Sequence, residues 1–396
     1  MKKASLSVIF ITVFIDLMGF GILIPILPTF ASKELAISDF GIGVIIAIFS
    51  LVQFLFNPVL GKLSDKIGRR PVILGSLLFT VVSYILFSFS DTFLMLFVSR
   101  LLAGFGGSNI GVAQAYIADI TSKEERSKGM GLIGAAFGLG FVFGPMIGGF
   151  LSKYGYDIAG LGAAGISFLA FIFAIFALPE SNLAKTESKK FGIKLFDLKF
   201  TKETMKRPVI GTMILLFFII VFSMANIYGT FSIIAYKVYH FTDQEIGYLF
   251  GLIGIIGAVI QGGAIRYISN KFSDRSLVLW GTILMSIGLG MIPYGQNFIG
   301  VAIVASILAI GTGLLQPTIL SMISRFSPDH EQGAILGLNQ SASAFARVLG
   351  PLWGGFSYDF LGYEAPFLTG AFFTLLTFLI VLIFLNSQQL EQAAET

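Results

Sequence analysis

Three ionisable residues fall inside long apolar runs of this chain: Asp16, Arg100 and Arg347. A charge at the centre of a spanning helix costs roughly 2.5–3.5 kcal/mol, so such residues point to ion pathways, ligand sites or paired braces. Asp16 is the only carboxylate near the middle of any run. Burial disfavours a carboxylate and a nearby guanidinium favours it, so a carboxyl balanced between them can take and release a proton as its surroundings change. A permanent ion pair that fixes its helix is the alternative. Arg100 is followed at helical spacing by Gly104, Gly107, Gly111 and Gln114, a face that permits close helix approach. Asp16 is the one acid at comparable depth. The two differ by about 12 Å in helix rise, part of which a long side chain spans. Backbone carbonyls and water are the other partners open to Arg100. Arg347 is preceded by Asn339, Gln340 and Ser343. It is compatible with binding an anionic group of a substrate, with answering the proton carrier, or with bracing two helices. Gln114, Asn226, Asn339 and Gln340 are the further candidates for lining a substrate cavity.

The elements that hold these residues are read from apolar length. Charged residues make up 12% of the 396-residue chain and hydrophobic ones 55%, against about 25% charged in a soluble domain. Runs long enough to span a bilayer, about 20 residues, fall at 6–30, 41–61, 72–90, 93–118, 129–152, 158–178, 209–236, 245–268, 277–295, 298–320, 332–357 and 363–385. The expected class is therefore an all-α integral membrane protein of twelve spans. The first run is too long for the 7–15-residue core of a signal peptide and reads as span 1. Residues 179–208 are long, polar and charged enough to be a linker, which divides the chain into halves at 1–178 and 209–396. Within the linker, 193–202 mixes Leu and Phe with Lys and reads equally as an amphipathic segment on the inner membrane face or as a solvated loop. Lys and Arg concentrate in alternate loops, including Lys62, Lys66, Arg69, Arg70, Arg266, Lys271, Arg275 and Arg325, whereas the intervening loops hold only Lys33, Lys153 and Lys237. Because basic residues are retained on the cytoplasmic side, both termini are expected inside.

The chain also repeats itself. GLIGAAFGLGFVFGPMIGG at 131–149 aligns with GLNQSASAFARVLGPLWGG at 337–355, an offset of 206 that carries Gly131 onto Gly337. The same offset carries Arg69 onto Arg275, Gly75 onto Gly281 and Asp119 onto Arg325. Two parallel six-helix halves related by an axis along the membrane normal give this pattern. Arg347 falls on Phe141, so that charge belongs to one half alone. In span 5, Gly140, Gly144, Pro145, Gly148 and Gly149, mirrored by Gly350 and Pro351, predict tight helix packing, read as a dry contact between the halves. The loop between spans 2 and 3, GKLSDKIGRR, sets Asp65 among glycines and bases, more than topology requires. There is no Cys, and no HExxH, GxSxG or GxxxxGK[ST]. Enzymatic chemistry, ATP-driven transport, metal centres and cofactors are accordingly not expected.

These motifs in order resemble the major facilitator superfamily, and within it the twelve-span drug:proton antiporters. GKLSDKIGRR is similar to the family's loop 2–3 signature, Arg100 with Gly104 and Gly107 to its span 4 signature, and GLGFVFGPMIGG to the span 5 signature of antiporters. DLMGFGILIPILPTF, beginning at Asp16, resembles span 1 of bacterial tetracycline efflux proteins. The resemblance implies that Asp16 and Arg100 couple transport to protons. It implies that Gly61, Asp65, Gly68, Arg69, Arg70 and Asp119 latch an inner gate. Asp65 would then face the start of span 11, and Arg69 or Arg70 would pair with Asp119. Span 9 lacks the acid usual in tetracycline exporters, and span 3 offers Ser83 and Tyr84 in place of one, which turns the expectation from metal-chelated tetracycline toward a neutral or anionic compound.

The resulting expectation is a secondary transporter of the bacterial inner membrane that exports small amphipathic, drug-like molecules in exchange for protons. Alternating access about a midplane site is its mechanism. Its partners are a small-molecule substrate, protons and the lipid bilayer, with no nucleic acid, and one chain suffices as a monomer. An organic-anion, sugar or lipid carrier without proton coupling is the alternative within transport. A receptor or scaffold of the same fold would need neither flux nor Asp16.

Overall fold

The computed structural model describes residues 5–121, 126–181, 198–328 and 331–384. These residues form fifteen α-helices: α1 Leu6–Lys33, α2 Asp39–Ile67, α3 Arg69–Ser88, α4 Phe93–Gly106, α5 Ile110–Ile120, α6 Arg126–Leu151, α7 Tyr156–Ala177, α8 Leu198–Met205, α9 Pro208–Lys237, α10 Asp243–Val259, α11 Ile265–Ser269, α12 Asp274–Met291, α13 Phe298–Phe326, α14 Gln332–Leu361 and α15 Ala365–Phe384. A 3₁₀ turn, Gly107–Asn109, joins α4 to α5, and a π-helical turn, Ile260–Ala264, joins α10 to α11. With those joints counted as interruptions inside one span, each of the twelve expected spans is helical. Eleven helices among the described residues are long and apolar enough to cross a membrane. The twelfth, α14, has 30 residues but carries Asn339, Gln340 and Arg347, so the residues that suggest a function are also those that lower its apolarity. Of the linker, 182–197 lie outside the described residues, as does the first part of the 193–202 segment; its remainder begins α8.

Polar side chains start several helices where the first backbone N–H groups lack partners. Ser38 accepts from Gly41 N, Thr92 from Met95 N, Ser273 from Ser276 N and Asn297 from Gly300 N. The expected loop between spans 2 and 3 is mostly helix. Gly61–Ile67 completes α2 and Arg69 already opens α3. Gly68 alone makes the turn, at φ +109°, a conformation that glycine adopts without strain.

The chain divides into two compact units. The first is Met1–Ile193 with Ala235–Gly251; the second is Lys194–Ile234 with Leu252–Thr396. In the first, α1 packs on α6 and α7, α3 on α7 and α4, and α2 on α4. In the second, α12 packs on α15 and α13, and α14 on α15. Shifted by the 206 offset, α3 on α7 becomes α12 on α15, and α3 on α4 becomes α12 on α13. The sequence repeat is thus a repeat of helix packing.

The glycines of span 5 explain the closest of these contacts, and they correct one expectation. Gly140, Gly144 and Gly148 pack against α1 of their own unit: a Cβ on Gly144 would stand 2.6 Å from Gly21 Cα, and one on Gly148 would stand 2.1 Å from the Ile22 carbonyl oxygen. The face read as a contact between halves is therefore mostly an α1–α6 seam, because three small residues at four-residue spacing make one groove that a neighbouring backbone fills. Pro145 and Gly149 border the other face of α6. Gly149 lies against Asp243 and Gln244, and the Pro145 carbonyl against Gly247, residues of the expected half 209–396 that cluster with the first unit, so on this face the expected contact is present. That unit also holds the end of α9 and the start of α10 by polar contacts. Lys237 Nζ meets Asp39 at 2.7 and 2.9 Å, and the Tyr156 hydroxyl donates to Asp243 Oδ2 at 2.8 Å. In the second unit Gly350, immediately before Pro351, presses on Ala225 and Asn226 of α9, the repeat counterpart of the α1–α6 seam.

Candidate functional site

Asp16 lies midway along α1, 6% exposed. Its Oδ2 accepts a hydrogen bond from Asn109 Nδ2 at 3.2 Å. Asp16 Oδ1 and Asn109 Oδ1 are both buried with no hydrogen-bond partner. Asn109 stands nine residues after Arg100, about 13 Å farther along span 4 at 1.5 Å per residue, where that span is interrupted. Gly104 and Gly106 are wedged where a Cβ would meet Phe49 O at 2.6 Å and Thr80 Oγ1 at 2.3 Å, and the chain then tightens into the 3₁₀ turn that carries Asn109. Gln53 on α2 donates to the Gly107 carbonyl at 2.9 Å, which satisfies a backbone acceptor in the interrupted helix. Irregular backbone at membrane depth persists where protein groups pair it in this way.

Arg100 does not pair with Asp16. No ion pair joins them among the described residues, and the difference in depth along the two helices, about 12 Å, is the reason. Arg100, 4% exposed, lies over the rings of Tyr84 at 5.8 Å and Phe87 at 5.7 Å, and its Nη2 donates to Ser99 Oγ at 3.3 Å. The faces of these rings attract a cation. The Tyr84 ring also borders α1 at Gly19, one turn after Asp16. Its Cε2 would be 3.4 Å from a Cβ on Gly19, and Ser167 Oγ would be 2.6 Å from that Cβ. The site thus draws on α1, α3, α4, the 3₁₀ turn and α7. Gln114 is exposed on α5.

At one end of the same unit, Arg69 gathers several helix ends. Its Nη1 meets Asp65 Oδ1 at 2.6 Å and Ser64 Oγ at 2.6 Å, and its Nε meets Asp119 Oδ2 at 3.1 Å. Arg69, and not Arg70, is therefore the base that pairs with Asp119, and Asp65 pairs with Arg69 one turn away. Arg70 Nη2 instead donates to the Ile175 carbonyl at 2.7 Å. Sequence reasoning missed Glu180. Its carboxylate accepts from the backbone N–H groups of Arg69 at 2.8 Å and Arg70 at 3.2 Å, and an anion at a helix N-terminus is favoured by the unpaired donors and the dipole there. Gly68 beside it is called for by its φ of +109°, since a Cβ there would meet first only the movable end of the Glu180 side chain. A carboxylate directly after the Pro that ends an apolar run was the available signal. A Cβ on Gly61 meets nothing within 4 Å, so close packing does not demand glycine at that member of the motif. Glu180→Gln is expected to cost about 1 kcal/mol and to speed amide exchange at Arg69 and Arg70, measured by hydrogen–deuterium exchange. Unchanged protection at those amides would remove Glu180 from this role.

In the second unit, Asn226 departs from its expected place in a cavity. It is fully buried, and its amide donates to the Pro366 carbonyl while Gly354 packs on its own carbonyl. It joins α9, α14 and α15, because a buried amide that finds a backbone acceptor becomes an interhelical bolt. Asn339 is equally buried, yet neither amide atom has a partner. Gln340 is exposed and Arg347 half-buried, and Arg347 interacts electrostatically with Tyr228 of α9.

The pattern of the Major Facilitator Superfamily matches residues 9–266 and 264–395. The chain belongs to the Major Facilitator Superfamily. It is a membrane transporter of small molecules and not an enzyme. It is 30% identical to Multidrug resistance protein 1 of Bacillus subtilis over 364 residues, covering 90% of each chain. It is 29% identical to the class B tetracycline resistance protein of Escherichia coli, covering 88% of this chain and 87% of that one. It is 27% identical to the quinolone resistance protein NorA of Staphylococcus aureus, covering 96% of each. Among solved structures, the human organic anion transporter MFSD10 superposes with a TM-score of 0.71 at 25% identity, covering 95% of this chain and 98% of that one.

Proposed function

We propose that the chain exports small amphipathic molecules, drug-like compounds among them, in exchange for protons, by alternating access between halves 1–178 and 209–396. Relatives named for resistance to tetracycline, quinolones and multiple drugs support the class of cargo and the direction. The observation that carries the proton is the buried Asp16 with one unpartnered oxygen, next to an unpartnered oxygen of Asn109. Ionised, Asp16 offers only acceptors and Oδ1 goes unsatisfied, which is costly away from water. Protonated, it acquires an O–H donor, and Asn109 Oδ1 is an acceptor without a donor. Gain and loss of one proton therefore changes which hydrogen bonds tie α1 to the 3₁₀ turn of span 4. Arg100, held over Tyr84 and Phe87, takes part in the coupling from that position and not as a direct counter-ion of Asp16.

The test uses proteoliposomes with an imposed pH gradient and a dye substrate. Uphill movement of dye that collapses when the gradient is dissipated supports exchange; dye flux indifferent to the gradient overturns it. In the same reading both termini are cytoplasmic, the membrane is the bacterial inner membrane, and the monomer is the working unit. The chain has no native Cys, so single cysteines report topology directly. Gln296→Cys is expected to label from outside intact cells and Lys202→Cys only after permeabilisation, and the reverse pattern would invert the orientation.

A further inference from the structure

We infer that α14 and α9 build a carboxylate-recognising subsite at Arg347, and that the preferred cargo is an amphipathic organic anion. The inference rests on the export reading above and names its substrate class. Asn339, Ser343 and Arg347 follow at four-residue steps and so share one face of α14. Among the described residues no carboxylate pairs with Arg347, whereas Arg69, Arg207 and Arg325 each have an acid partner. The phenol of Tyr228 on α9 lies within electrostatic range of the guanidinium; a phenol can donate to an oxyanion but cannot neutralise a guanidinium at neutral pH. A guanidinium held in an apolar span without a counter-ion is costly, and a cargo carboxylate would supply two acceptors in the geometry its donor fork fits. The repeat counterpart of Arg347 is Phe141, so the helix packing common to both units does not call for the charge. About 12 Å farther along the face, Asn339 is fully buried with both amide atoms unpartnered, a second polar group on this face without a protein partner. Ser343 lies between them and is spent locally, its hydroxyl donating to the Asn339 backbone carbonyl at 2.8 Å.

The experiment is counterflow in proteoliposomes at equal pH on both sides, comparing 4-biphenylcarboxylate with 4-biphenylcarboxamide. Equal pH removes the proton gradient, so failure of proton coupling at Asp16 leaves this measurement intact. Wild type is expected to exchange the carboxylate about tenfold faster than the amide at limiting concentration, the difference made by one charge-assisted contact. Arg347→Gln should erase that preference while leaving amide exchange within about twofold, and Arg347→Lys should retain part of it. Tyr228→Phe, which keeps the ring, should narrow the preference and serves if the Arg347 variants fail to fold. Equal exchange of the two compounds by wild type overturns the proposal whatever the variants do. So does a fall of both compounds together in Arg347→Gln, which marks a brace. A melting temperature that rises with phosphatidylglycerol, is indifferent to the carboxylate, and loses the lipid effect in Arg347→Gln assigns the guanidinium to a lipid headgroup and also overturns it.

Discussion

Asp16→Asn is expected to abolish uphill, gradient-driven export while leaving downhill exchange measurable. The substitution keeps the size of the side chain and its ability to bond Asn109, but fixes it without a charge. Asp16 is 6% exposed, and among the described residues its side chain has one hydrogen bond, from Asn109 at 3.2 Å, so the change removes a titration and little packing. Export against a gradient requires that proton and substrate each bias the same conformational equilibrium. A tenfold difference in proton affinity between the two conformations corresponds to about 1.4 kcal/mol of bias, and a group that cannot titrate contributes none. In proteoliposomes, then, an imposed pH gradient should no longer concentrate substrate, exchange at equal pH should continue, and substrate binding should lose most of its pH dependence. If the variant still concentrates substrate, the proton is carried elsewhere. Asn109→Leu provides a complementary readout: it should preserve a titrating group but shift the pH profile of transport, because Asp16 then loses its hydrogen bond.

Gly148→Val is expected to prevent accumulation of folded protein. A Cβ at this position would sit 2.1 Å from the Ile22 carbonyl oxygen and 2.9 Å from its carbon, and backbone on both sides of the seam cannot turn aside as a side chain can. Overpacking in cores typically costs 1–3 kcal/mol; with a branched side chain against backbone, about 3 kcal/mol or more is expected. Gly134, on the same helix, is the control, since a Cβ there meets nothing within 4 Å. Gly134→Ala should melt within a few degrees of wild type, and Gly148→Ala should already melt well below it. Equal melting of the two alanine variants in detergent would show that the α1–α6 seam tolerates separation.

The spans were legible because lipid imposes a length: about 20 apolar residues cross it, and irregular backbone within it must be paired by protein. The same argument made Asp16 and Arg100 conspicuous, and the offset of 206 disclosed the repeat before any packing was known. The pairing of Asp16 with Arg100 was not legible. Depth could be counted along each helix, and counting places Asn109, nine residues past Arg100, near Asp16; which residue of span 4 turns toward α1 could not be counted, and it is Asn109 and not the arginine. For the span 5 glycines, composition said that something approaches closely and could not say what; α1 does, along Gly140, Gly144 and Gly148.

Asn226 and Asn339 mark the boundary between the two kinds of knowledge. Both are amides inside apolar runs, and a sequence treats them alike. One donates to the Pro366 carbonyl while its Oδ1 goes unpaired, and the other has no partner for either amide atom, a difference made by which helix lies opposite. Glu180 makes the same point across 111 residues: its carboxylate matters because the N-terminus of α3 comes to it. The sequence by itself determined which segments enter the membrane, that they repeat, and which charges enter with them, because transfer from water is decided residue by residue. Only the tertiary structure decided which of those polar groups are satisfied and which are left open for a proton or a cargo, because a hydrogen bond depends on the group across the helix interface and not on the residues beside it in the chain.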